Sequence, residues 1–254
     1  MVRIRLITRG DDAGCNDSAN RAVWEAATRG CLRNASILAC GPAIEPAAEL
    51  LAGVEGLCCG VHCCLNAEWD SLRWGPVLPA AQVPALVDAD GFFHTTTQAL
   101  HAAGPRIEEV MAELTAQLER LRGLGFDVRY ADQHMGFGWV VDGLEEALAA
   151  WRAEHGLLSG DRRGCRLPRV EVEGDAVDRL LASLAAADAG TYLIVNHPAC
   201  DGPEMRALGH EGWPGDRVAA EREGDRRLWS DPRLLALVDS GEVEVVRFDQ
   251  VPEA

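Results

Sequence analysis

Apolar residues along this chain fall into two alternating rhythms. Short runs at Arg3–Thr8, Ala35–Ala39, Cys58–Leu65, Val128–Ala131, Cys165–Val170, Tyr192–Asn196 and Val243–Phe248 predict strands. Between them, apolar positions recur at helical spacing. The clearest case follows Pro105, where Ile107, Val110, Met111, Leu114, Leu118 and Leu121 line one helix face. Pro105 suits a first helical turn, and Gly123 and Gly125 supply the stop. Residues 142–155, 175–188 and 231–240 also read as helices. Strands alternating with helices predict an α/β fold with a parallel sheet and helices outside it. About seven such units favour a single irregular (β/α) barrel, TIM-like, over an open doubly wound sheet. No repeat, low-complexity tract or Ser/Pro linker divides the sequence, so 1–254 is expected to form one domain.

Composition narrows the functional classes. With 48% hydrophobic and 25% charged residues, the chain has the balance of an ordinary soluble enzyme. Its formal net charge of -16 opposes nucleic acid, whose binders cluster Lys and Arg. The stretches Asp161-Arg162-Arg163 and Asp225-Arg226-Arg227 sit among acids and read as solvated loops or helix faces. No run approaches the roughly 20 apolar residues of a membrane helix. The start, MVRIRLITRGDD, meets two carboxylates after a short apolar run, unlike a secretory signal, and a cytoplasmic location is expected. Nine cysteines, an odd number in a large chain, are expected to be mostly reduced, buried and inert. No GxGxxG or Walker-type loop follows the first strand, which removes support for a nucleotide-binding sheet.

In a parallel barrel the active site lies at the C-terminal strand ends. Four predicted strands carry suitable residues there: Asp11-Asp12, then His62, then Asp132-Gln133-His134, then Asn196-His197-Pro198. Each has a plain structural reading, as a turn, a core histidine, a loop ion pair or a capping histidine. Their coincidence at strand ends favours one shared metal site. Two adjacent carboxylates can divide labour, one binding a cation while the other takes a proton from the attacking water. On a strand, His62, Cys64 and Asn66 share one face. Asp132, two residues before His134, is placed to accept that histidine's second N–H. One carboxylate and two imidazoles leave open positions on a divalent ion. Such ligands suit Zn, Co, Ni or Mn and do not exclude Mg. A thiolate zinc site in Cys58-Cys59-Gly60-Val61-His62-Cys63-Cys64 is disfavoured, because neighbouring cysteines on a strand point to opposite faces.

With these residues in place, the chain resembles the YdjC-like (ChbG-type) carbohydrate deacetylases, which are related to polysaccharide deacetylases. The resemblance rests on RGDDAGCNDSANRAV, GVHCCLNAEWDSLRWGPV, DGFF, YADQHMGFG, IVNHPA and REGDRRLWSDP, in family order over nearly the whole chain. It implies a divergent (β/α) barrel with one divalent metal, Mg or Zn, held by Asp12, His62 and His134. It further implies Asp11 as general base, His197 as general acid, and Asp132 and Arg222 in support. The implied reaction removes an acetyl group from the nitrogen of an N-acetylated sugar or similar small amide, and a homodimer is expected. Met135-Gly136 stand where many members have a second histidine, and the paired cysteines after His62 are unusual. Trp69 and Trp74 are candidate platforms for a sugar ring and Asn66 a candidate partner for a hydroxyl; the alternative is that both tryptophans pack a loop over the barrel. Two rival functions are a metal-dependent phosphoesterase, using Arg9 and Arg222 for phosphate, and a non-catalytic sugar- or metal-binding protein.

Overall fold

The computed structural model describes residues 4–161 and 164–251, so Arg3, Arg162 and Arg163 lie outside the described residues. The fold opens with β1 (Ile4–Ala13), α1 (Asp17–Arg29), β2 (Asn34–Ile37), α2 (Ile44–Leu51) and β3 (Cys58–Cys63). A long excursion holding the short α3 (Thr97–Ala102) leads to α4 (Ile107–Gly123), β4 (Val128–Gln133), α5 (Leu144–His155) and β5 (Leu158–Ser159). Then follow α6 (Ala176–Ala186), β6 (Gly190–Asn196), α7 (Pro203–Arg206), α8 (Gly215–Leu228), α9 (Pro232–Asp239) and β7 (Val243–Val246).

All strand pairings are parallel, in the order β5-β4-β3-β2-β1-β6, with β7 also on β1. The sheet curls into an incomplete barrel with helices around it, as the alternating pattern predicts. β1 is forked. Its first half pairs with β7 from Ile4↔Val243 to Ile7↔Val246, and its second half pairs with β2 from Arg9↔Asn34. Asn34 seals this fork: its Nδ2 donates to Thr8 O (3.0 Å) and Val246 O (3.1 Å), and Phe248 N donates to its Oδ1 (2.8 Å). Such a buried amide is tolerated because its hydrogen bonds are made.

The expected strand at Cys165–Val170 is not formed. Only Cys165 bridges, to Tyr192, and the fifth strand is Leu158–Ser159 instead. Pro168 has no N–H to give a ladder, and Arg166 and Arg169 leave the run without an apolar face to bury. The helix after Pro105 forms as its spacing predicts. Val110, Leu114, Leu118 and Leu121 are fully buried, each contributing about 1.5–3 kcal/mol of burial. Pro105 lies before the N-cap residue Arg106 rather than within the first turn. The pattern does not announce α1, whose buried stripe is mostly alanine: Ala19, Ala22, Val23 and Ala26. Its start is nevertheless well capped, with Asn16 Oδ1 accepting from Ala19 N at 2.8 Å. No helix among the described residues is long and apolar enough to cross a membrane.

Candidate active site

Successive side chains on a strand point to opposite faces, so Asp11 and Asp12 should diverge. A bulge prevents that. Between Gly10↔Ala35 and Ala13↔Ile37, β1 advances one residue more than β2. Asp12 takes up the excess in the left-handed region, at φ 69°. Aspartate tolerates that conformation better than most residues, and bulges re-aim side chains in this way. Both carboxylates consequently line one cavity of 290 Å³ with His62, His134 and His197 at the C-terminal strand ends. A larger cavity of 710 Å³ sits at the opposite end, among Ile4, Leu184, Leu237 and Val243, and holds none of these groups.

Three donor atoms converge in the 290 Å³ cavity. His62 Nε2 is 3.5 Å from Asp12 Oδ1, His134 Nδ1 is 3.4 Å from the same oxygen, and the two nitrogens are 3.2 Å apart. Metal–ligand bonds of about 2.0–2.2 Å place neighbouring donors about 3–3.5 Å apart, so this spacing suits a cation at their centre. Asp12 Oδ1 is buried and has no hydrogen-bond partner, a state that costs free energy unless something else satisfies it. Its sister oxygen accepts from Arg222 Nη1 at 2.8 Å.

Each imidazole is gripped from behind. His62 lies opposite Asp132 in the β3–β4 register, and its Nδ1 is 2.8 Å from Asp132 Oδ1. Asp132 Oδ2 accepts in turn from Ser36 Oγ (2.6 Å) and pairs with Arg9 Nη1 (2.8 Å). Gly60, two residues before His62, lets the Tyr130 ring cross β3, where a Cβ would collide with it. His134 Nε2 is 3.0 Å from Glu68 Oε2. Thus Asp132 supports His62 and not His134, the partner its sequence position suggests. Cross-strand register, invisible in the local sequence, decides the pairing.

Burial works against every charge here, and the neighbours overcome it. Against burial, Arg222 and the two imidazoles hold Asp12 well below the usual carboxylate range. Against burial, Arg9 and His62 hold Asp132 at about 2. Burial would lower both histidines, yet Asp132 and Asp11 raise His62 to about 10, and Glu68 lifts His134 well above its ordinary value. The reason is charge balance. Five carboxylates, of Asp11, Asp12, Glu68, Asp132 and Asp161, face only two guanidiniums, of Arg9 and Arg222. A divalent cation beside neutral imidazoles would offset most of this excess. The donor set, the orphaned oxygen and this charge all fit such an ion.

Asp11 is paired with Arg9 through both oxygens, at 2.8 and 2.9 Å, and faces the cavity. His197 follows β6, its backbone N–H held by Asp225 Oδ2 at 3.0 Å. The remaining expected contacts are differently placed. Trp69 and Trp74 are 1% and 3% exposed, leaving no face for a sugar ring. Trp69 stacks on His210 and lies tilted against Trp213, with the Arg222 guanidinium 5.3 Å above it, and Trp74 Nε1 donates to Asn66 O at 2.9 Å. These tryptophans pack the loop, the alternative weighed above. Asn66 is fully buried, with its Nδ2 donating to His94 O, so it too lies away from a ligand. Cys64 lies beyond the end of β3 and accepts from Trp74 Nε1 at 3.2 Å. None of the metal-competent clusters among the described residues includes a cysteine.

Glu68, Gln133, Met135, His210 and Trp213 also line the cavity. Gln133 ends β4 and Met135 follows it directly, whereas Glu68, His210 and Trp213 have no local sequence signal, because each arrives from a loop whose path only the folded chain defines.

An incomplete parallel barrel with a cage able to hold a cation, set between a carboxylate and an imidazole at its mouth, is the class these features define. The chain belongs to the YdjC-like family, whose model matches residues 5–240. It is 33% identical over 253 residues to a carbohydrate deacetylase of Geobacillus stearothermophilus, covering 95% of this chain and 96% of that protein. It is 29% identical over 148 residues to carbohydrate deacetylase 1 of Listeria innocua, a match spanning 58% of this chain and 57% of that protein. In fold it resembles an Enterococcus faecalis protein named for cellobiose-phosphate cleavage, with a TM-score of 0.78, 19% identity and 98% of both chains covered. The catalytic domain of a peptidoglycan N-acetylglucosamine deacetylase from Eubacterium rectale shares the fold at a TM-score of 0.55 and 7% identity, covering 99% of this chain and 91% of that one.

Proposed function

We propose that this protein is a metal-dependent deacetylase that hydrolyses the acetamido group of an N-acetylated sugar or small carbohydrate. The observation that carries this reading is the meeting of Asp12 Oδ1, His62 Nε2 and His134 Nδ1 within 3.2–3.5 Å, in one cavity with Asp11 and His197. A divalent ion, when bound by those three residues, supplies Lewis acidity that polarises the amide carbonyl and acidifies water. Asp11 takes a proton from water as its oxygen attacks the carbonyl carbon. His197 gives a proton to the nitrogen as the C–N bond breaks, so that an amine departs rather than an amide anion. Amide and water become amine and acetic acid, which ionises to acetate and a proton; the proton that Asp11 gains equals the one that His197 gives up, so its return restores both groups. Arg222 and Asp132 keep the ligands in place. The relatives named as carbohydrate deacetylases support the sugar as the substrate class.

A phosphoesterase is less well supported, since Arg9 and Arg222 are both engaged by carboxylates and neither is spare for a phosphate. A binding protein would need neither Asp11 nor His197. The test is acetate release from N-acetylated sugars and glycosides by chelator-stripped protein, with and without added divalent metal. Metal-stimulated release should fall by about 10²–10⁴ in Asp11→Asn, which loses one proton-transfer group. Phosphate release from sugar phosphates, or metal uptake without any hydrolysis, would sink the assignment.

A further inference from the structure

The loop after β3 carries Glu68, whose carboxylate is only 14% exposed and touches His134. An imidazole that offers a lone pair to a metal through one nitrogen must carry its proton on the other. For His134 the inward nitrogen is Nδ1, facing Asp12 Oδ1 and His62 Nε2 at 3.4 and 3.2 Å. The outward Nε2–H donates to Glu68 Oε2 at 3.0 Å. His62 shows the opposite arrangement, presenting Nε2 and donating Nδ1–H to Asp132 at 2.8 Å. The cage is therefore built from two carboxylate–imidazole pairs with their rings turned in opposite senses.

Glu68 is itself held from both sides. Ala67 N donates to His94 O at 3.0 Å, and Asp70 N donates to Gly209 O at 3.0 Å. The neighbouring Trp69 is buried, wedged against His210 and Trp213. A flexible surface glutamate would lose much of its orienting effect to side-chain entropy, whereas one on an anchored backbone retains it. This gives the Glu68-Trp69 pair a joint purpose: the indole fixes the loop, and the carboxylate fixes the imidazole.

We infer that Glu68 is a positioning residue for the metal site, setting the tautomer and ring orientation of His134 so that Nδ1 is its ligand atom. Resting on the metal-dependent reading above, this assigns Glu68 a role in ion affinity rather than in proton transfer to substrate. Losing an outer carboxylate of this kind weakens metal binding by about 10–100-fold.

The experiment compares full-length wild type with Glu68→Gln and Glu68→Ala, each stripped by chelator and titrated with Zn²⁺ or Co²⁺ against a chromophoric competitor. Far-UV circular dichroism checks folding. Glu68→Ala should bind about 10–100-fold more weakly and shift the visible Co²⁺ spectrum, because the ring of His134 is free to turn. Glu68→Gln is nearly isosteric, and its amide oxygen still accepts the N–H. It should retain the wild-type spectrum and lie between the two in affinity. Wild-type affinity and spectrum in both variants would overturn this inference alone. A wild type that takes up neither ion would overturn it together with the proposed function.

Discussion

At the scale of single residues, sequence position named side chains that the fold brings together, but not always the partners it gives them. Asp12, His62 and His134 were legible because polar residues at the ends of apolar strands are placed for chemistry whatever the loops do. Glu68 was not, since its contact with His134 depends on how a loop folds back. The aromatic residues make the same point. Trp69 and Trp74 stand near His62 in sequence but are sealed in the core, while Trp213, far along the chain, lines the cavity. Replacing each tryptophan separates the two roles. Trp69→Ala should lower stability by about 3–5 kcal/mol, the cost of emptying a large core site, and weaken metal binding by loosening Glu68, with KM at saturating metal nearly unchanged. Trp213→Ala should raise KM roughly 2–10-fold, as loss of about 0.5–1.5 kcal/mol of aromatic contact implies. Chemical denaturation and steady-state kinetics on both variants check this, and the reverse pattern would reassign the sugar to Trp69.

At the scale of elements, strands and helices built from long aliphatic residues were readable, and those built from alanine, or depending on register, were not. The helix after Pro105 has both a readable stripe and an unreadable function. Its buried face includes three polar residues one turn apart, Glu109, Glu113 and Gln117. Gln117 exchanges hydrogen bonds with the backbone of Cys64, at 3.0 and 2.7 Å, just past the strand that carries His62. Glu113 accepts from Val77 N, Leu78 N and Gln117 Nε2 at 2.8, 3.0 and 2.9 Å. α4 thus fastens both ends of the segment that holds Glu68. Burial raises the Glu113 carboxyl while the backbone donors oppose that shift, so its value lies in satisfying them. Glu113→Ala would leave two N–H groups without their acceptor, at about 1–3 kcal/mol each where they stay dry. Limited proteolysis should then cut within residues 67–96 well before the helices are lost, as followed by mass spectrometry and circular dichroism. Cleavage no faster than in wild type would mean the loop is held by its apolar contacts alone.

At the scale of the whole molecule, protons and a divalent ion compete to neutralise the same cluster, and stability should record the competition. His62 is raised from 6.5 to about 10 in the folded protein. Its contribution to metal-free stability is therefore complete below about pH 6.5 and is lost as pH rises toward 10. Asp132, lowered from 3.8 to about 2, acts in the other window: its contribution stands above about pH 4 and is lost as pH falls toward 2. An ion held by lone pairs on both imidazoles must displace their protons, so its apparent affinity should increase with pH between these limits. At a free concentration a thousandfold above Kd the ion adds about 4 kcal/mol, or roughly 8–16 °C in Tm for a chain of this size. The Tm difference between metal-saturated and chelated protein should therefore be small near pH 6 and widen steadily to pH 9. Calorimetric titration in buffers of different ionisation heat should show protons leaving as metal enters. A constant Tm difference across that range, with no proton release, would mean that the imidazoles are already neutral and that the excess negative charge is compensated somewhere outside the cage.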